Sequence, residues 1–136
     1  MALLLLEYFM EIFIEEESVM IAGIQSAVSG LQAYTTKIAN NANKIANVNT
    51  EGFKRDRVVL STQAPQGVKA DVEQVNTPGP MVAEQSDQGL VMVEQSNVDL
   101  GEEFVDVMIS THGFKANLKT VQAADALMQA VLDIKA

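Results

Sequence analysis

The chain has 136 residues, 48% hydrophobic and 20% charged, with a net charge of −9, no Cys and no Trp. That is apolar enough for a packed core and excludes a wholly disordered chain. The acidic balance argues against a dedicated nucleic-acid binder, whose affinity rests on Lys and Arg at phosphates, and the lack of Cys removes disulfides, thiolate metal sites and cysteine nucleophiles together.

Residues 1–20 (MALLLLEYFMEIFIEEESVM) stand apart from the rest of the chain. They lack the basic start of a signal peptide, and Glu7 cuts the apolar run after Leu6, so the segment is too short and too acidic to span a bilayer. It holds five of the eighteen acids and no Lys or Arg, which leaves −4 on the remaining residues. The change of composition and periodicity predicts a start at Met20; an intact mass that includes residues 1–19 would refute this.

From Ile21 the pattern is regular. Ile24, Val28, Leu31, Thr35, Ile38, Ala42 and Ile45 recur at alternating spacings of four and three, a heptad seam suited to a partner helix. A second stripe runs through Thr36, Asn40, Asn43, Asn47 and Thr50 with no charge in it. A solvated face would carry Lys, Glu or Arg, whereas amides and hydroxyls can hydrogen-bond sideways to another chain. Both faces are therefore expected to make contacts. The helix is expected to end near Asn49 or Thr50, with Gly52 supplying a left-handed residue. Gly23 and Gly30 each cost about 1 kcal/mol relative to Ala, so packing must hold it.

Residues 54–96 change character. Arg57 to Thr62 is a β-branched run, Val68, Ala70 and Val72 alternate with charged residues, and Met81 to Gln85 and Leu90 to Glu94 are further strand candidates. Pro65-Gln66-Gly67, Pro78-Gly79-Pro80 and Ser86 to Gly89 are turn signals between them. A small antiparallel unit of two to four strands is expected, with Lys54, Arg55 and Arg57 as a solvated entry to it.

The second helix opens at Asn97-Val98-Asp99-Leu100. Asp99 is a good N-cap, and Glu102, Glu103 and Asp106 are read as helix-start chemistry. An apolar stripe runs on through Phe104, Val107, Thr111, Phe114, Leu118 and Val121, beside a small uncharged one at Ser110, Gly113, Asn117, Thr120 and Ala124. His112 is the sole histidine, and Ser110 and Asp106 lie on other sides of its helix, so no nucleophile, base and orienting group meet locally. Neither a phosphate-cradling glycine loop nor metal-ligand spacing is present. The reading is of a chain that is not an enzyme, with no cofactor, metal, small-molecule ligand, nucleic acid or membrane insertion.

The fold class expected is mostly α with a small β part: two long terminal helices forming an antiparallel coiled-coil pair, joined by a short antiparallel β region. Residues 1–20 form a leader, 21–50 the first helix, 51–96 the β and turn region, and 97–136 the second helix. The helix-pair seam is assigned to Ile24, Val28, Leu31, Ile38, Ile45, Phe104, Phe114, Leu118 and Val121. The assembly interface is assigned to Asn40, Asn43, Asn47, Thr50, Ser110, Asn117 and Thr120.

Two motifs carry a family resemblance. Ser29-Gly30-Leu31, followed by Ala42-Asn43-Lys44-Ile45-Ala46-Asn47-Val48-Asn49-Thr50-Glu51-Gly52-Phe53-Lys54, resembles the N-terminal signature of the bacterial flagellar rod and hook axial proteins. Asn97-Val98-Asp99-Leu100 with Glu102, Glu103 and Phe104, and then Phe114 to Lys119, is similar to their C-terminal signature. Within these, Ala46, Asn47, Asn49, Thr50, Gly52, Phe53, Asn97, Val98 and Asp99 are the motif residues, while Lys44 departs from the usual Asn. The short middle resembles that of the small proximal rod proteins. The resemblance implies a non-enzymatic structural subunit, exported unfolded by the flagellar type III apparatus and polymerised with other copies and homologous rod proteins into the periplasmic rod. The terminal helices of that family order on assembly, the C-terminal ones innermost. The competing reading is a soluble two-helix adapter or export chaperone using the same heptads on a helical partner.

Overall fold

The computed structural model describes residues 2–87 and 89–134, with side chains for 19–87 and 89–133. Helix α1 (Ala2–Ala46) leads to strands β1 (Asp56–Thr62), β2 (Val68–Gln74), β3 (Met81–Ser86) and β4 (Gly89–Glu94), and helix α2 (Leu100–Ile134) completes the order. The backbone of α1 is helical through Met20; the residues that distinguish the leader, up to Glu17, have side chains outside the described set.

The helices lie antiparallel: Lys44 meets Glu103, Lys37 meets Asp106, and further along Gly30 meets Asn117. At 1.5 Å per residue, the 35 residues of α2 extend about 52 Å. Its start is built as the sequence requires, with the Asp99 carboxylate accepting the Gly101 and Glu102 amides at 2.7 and 3.2 Å.

Helix α1 stops at Ala46, a few residues earlier than expected, because asparagine chemistry takes over. The Asn47 side-chain amide donates to the Asn43 carbonyl and side-chain oxygen at 2.8 and 3.1 Å, the local competition that favours turns over helix. Gly52 does not close the helix. It occupies the third position of a Thr50–Phe53 turn with φ of 65°, where a type II turn needs a residue without a Cβ.

The β region forms two separate hairpins rather than one sheet. In the first, Val58 pairs with Val72 and Leu60 with Ala70; in the second, Val82 pairs with Val93 and Glu84 with Val91. The first hairpin packs along α1, where the Ser29 hydroxyl accepts the Val68 amide at 3.0 Å. Among the described residues, the second packs against none of the other helices or strands.

Candidate assembly interface

The seam between the helices has an unexpected composition. Ala27, Gly30, Tyr34, Lys37, Asn41 and Lys44 face Glu103, Asp106, Ser110, Gly113 and Asn117, again at alternating spacings of three and four. Small residues bring the backbones together. A Cβ on Gly113 would collide with the Tyr34 ring, and one on Gly30 would come within 2.8 Å of the Asn117 amide. Gly30, which sequence alone read as a liability, is required by packing.

Charges occupy the rest of the seam. Lys44 Nζ lies 2.6 Å from Glu103 Oε2 with the two side chains only 7% and 3% exposed. Lys37 Nζ donates to Asp106 Oδ1 at 2.7 Å, and Asn41 Nδ2 donates to Asp106 Oδ2 at 3.2 Å. Burial by itself raises the Asp106 carboxyl, but the hydrogen bonds from Lys37 and Asn41, with the charges of Lys37 and Lys44, outweigh it and hold it below the ordinary carboxylate value. Glu102 pairs with Arg55 at 2.6 Å. The acids read as helix-start chemistry therefore have a further role, since Glu102, Glu103 and Asp106 each meet a cation from α1 or the segment entering β1.

The basic residues read as a solvated entry are likewise paired: Lys54 with Glu94, Arg55 with Glu102, and Arg57 with Glu73. The cleft between α1, α2 and β1 is lined largely by these matched charges. Among the described residues no cluster of three His, Cys, Asp or Glu is placed to hold a metal, and no helix is long and apolar enough to cross a membrane.

The residues assigned to the two contact faces are redistributed. Ser110 is fully buried inside the helix pair, and Asn117 lies there against Gly30, so neither belongs to an outer surface. Asn43, Thr50 and Thr120 are exposed, while Asn40 and Asn47 are half-buried. Asn43, Asn47 and Thr50 are linked through their side chains, Thr50 Oγ1 donating to Asn47 Oδ1 at 3.1 Å. The expected apolar seam is rotated away from the partner helix by about a quarter to a third of a turn. Val28, Phe104 and Leu118 are exposed, and Ile24, Leu31, Ile38, Ile45, Phe114 and Val121 are half-buried. The reason is steric as well as electrostatic: the glycine faces allow close approach, and in this rotation Lys37 and Lys44 come opposite Asp106 and Glu103.

Several of the motif residues form the joint between helices and hairpins. Asn97 Oδ1 accepts the Arg55 amide at 2.6 Å, its Nδ2 donates to the Val75 and Thr77 carbonyls at 3.0 and 2.9 Å, and its backbone amide donates to the Phe53 carbonyl. Beside it the Glu94 carboxylate takes Lys54 and the Gly79 amide, which hold it below its ordinary value, while the Glu94 carbonyl accepts the Gly52 amide. One asparagine fastens three stretches of chain.

Residues 91–134, which include this asparagine and all of the described side chains of α2, match the family of the flagellar basal body rod FlgEFG protein C-terminal region. This stretch is similar to the C-terminal segment of flagellar rod and hook proteins. The chain is 41% identical over 44 residues to a flagellar hook protein FlgE of Borreliella burgdorferi, and 44% identical over 43 residues to one of Treponema pallidum. It is 35% identical over 43 residues to the flagellar basal-body rod protein FlgG of Bacillus subtilis. Each alignment covers 32% of this chain and 10%, 9% and 16% of the respective relative.

The buried seam was missed from sequence because the apolar heptad has the same period and larger side chains. Its signal is present all the same: Gly30, Tyr34, Asn41 and Lys44 on one helix match Asn117, Gly113, Asp106 and Glu103 on the other at a single antiparallel offset, with Lys37 one turn away from that line reaching Asp106 as well.

Proposed function

We propose that the chain is a non-enzymatic structural subunit of the flagellar basal-body rod, exported by the flagellar type III apparatus and polymerised through its terminal helices with other copies and homologous rod proteins. The observation that carries this reading is the division of labour between helix faces. The intramolecular contact between the helices uses small and charged residues, leaves Val28, Phe104 and Leu118 of the apolar heptads and the side chains of Asn43 and Thr50 exposed, and only half-buries the other apolar heptad positions. A freestanding two-helix protein would bury its apolar stripes first. The relatives' names, two hook proteins and one basal-body rod protein, and the matched C-terminal segment support a place in the flagellar rod or hook.

The test is location. In purified hook-basal bodies the chain is expected to be present and to disappear together with the rod; recovery only from the soluble cytoplasmic fraction would overturn the reading. Asn43→Asp with Asn47→Asp is expected to fray the last turn of α1, which loses the Asn47 side-chain donor, and to abolish polymerisation by burying like charges between copies, with circular dichroism of the monomer separating the two effects. Filaments of normal length from this variant would remove the amide face from the interface.

A further inference from the structure

Two surfaces remain whose chemistry is complementary. The β3–β4 hairpin is exposed on both faces, packs on neither helix, and would be marginal alone. One face presents Met81, Ala83, Leu90 and Met92, and the turn carries Asp87. From Met81 to Glu94 there is no Lys, Arg or His. On α2, the side turned away from α1 presents Phe104 and Met108, 56% and 62% exposed, and continues into Lys115 and Lys119, which are exposed and have no ion-pair partner among the described residues.

We propose that the β3–β4 hairpin of one copy docks on the outward face of α2 in a second copy, with Leu90 and Met92 against Phe104 and Met108 and Asp87 directed to Lys115 and Lys119. The lengths agree. Six strand residues extend about 20 Å, and Phe104 to Lys119 rises about 22 Å along the helix. The charges agree as well, an acidic apolar arm meeting a basic apolar strip. Because the two surfaces differ, the contact is head to tail, and such contacts form open helical arrays unless the rotation closes a ring. The inference rests on the polymerising role above and names the contact that the terminal-helix reading does not.

The native chain has no cysteine, so single-cysteine variants report contacts cleanly. Mixing M92C with M108C in the polymerised full chain under oxidation is expected to give a heterodimeric cross-link, in clear excess over M92C mixed with A39C. Predominant M92C homodimers would indicate hairpin-to-hairpin pairing and overturn the proposal, as would equal yields with A39C. Charge reversal supplies the second arm. D87K alone and K115E/K119E alone are each expected to weaken self-association about tenfold, and the two combined in one chain are expected to recover most of it. Wild-type association by D87K and by K115E/K119E would sink the hairpin contact while leaving the rod role standing; a wild-type chain that stays monomeric at every concentration would overturn both.

Discussion

The two hairpins are of similar size and end in opposite situations. β1–β2 lies along α1, with its end fastened to Ser29, whereas β3–β4 projects with Leu90 and Met92 open to solvent. The helix pair repeats the contrast, its inner seam holding glycine, serine and ion pairs and its outer side holding Phe104, Met108 and Ile109. In this chain the buried contact between the helices is small and polar, while Phe104, Met108, Leu90 and Met92 are left exposed. A buried pair such as Lys44–Glu103 gains little net stability over apolar residues but strongly penalises any register that leaves one charge alone.

The contrast can be broken most severely at that pair. Lys44→Ala leaves Glu103 buried without its cation and is expected to cost about 3–5 kcal/mol in denaturant unfolding, while Lys44→Met with Glu103→Leu is expected to be neutral or stabilising. A large loss in the double variant would show that the charges carry stability rather than register. Next comes Gly113→Val, expected to cost about 1–3 kcal/mol by overpacking against Tyr34; the same change at Gly23, which has open space around it, serves as the control. Asn97→Ala should cost about 1–3 kcal/mol, because it leaves the Arg55 amide and two carbonyls without their partner.

A smaller effect is expected with pH. Asp106 lies below its ordinary value of 3.8 in the folded chain, so its contribution is full above that pH and is lost as pH falls through the depressed value. Asp106→Asn should remove that part of the acid dependence of helix content followed by circular dichroism, and an unchanged acid profile would count against it. The smallest effect on the isolated chain is expected outside the seam. Phe104→Ser should change monomer stability by no more than about 0.5 kcal/mol and yet impair assembly measured by sedimentation. If it instead unfolds the monomer, the outward face belongs to the core.

Local chemistry was readable from the sequence. The alternation of Val68, Ala70 and Val72 and the Asp99 cap act within a few residues, and each appears where its pattern put it. Helix-face assignment was not readable from period alone, because Ile24 to Ile45 and Ala27 to Lys44 share one spacing and differ only in what stands opposite. Size favoured the isoleucines; Gly30 against Asn117 and Lys37 against Asp106 decide the matter through contacts made 87 and 69 residues away. The division into two hairpins was invisible for the same reason, since nothing in either strand pair encodes whether the pairs join. Lys44, which departs from the signature that the N-terminal stretch resembles, is the cation paired with the buried Glu103.

Asn97 also has a kinetic consequence. Its partners lie 42, 22 and 20 residues earlier in the chain, whereas each hairpin closes between neighbours. Closing long loops is entropically costlier and slower than zipping adjacent strands, so the clasp forms after the parts it joins. In pulse-labelled hydrogen exchange the Arg55 amide should gain protection later than those of β1 and β2, and protection of all three together would show that the joint and the hairpin fold as one unit.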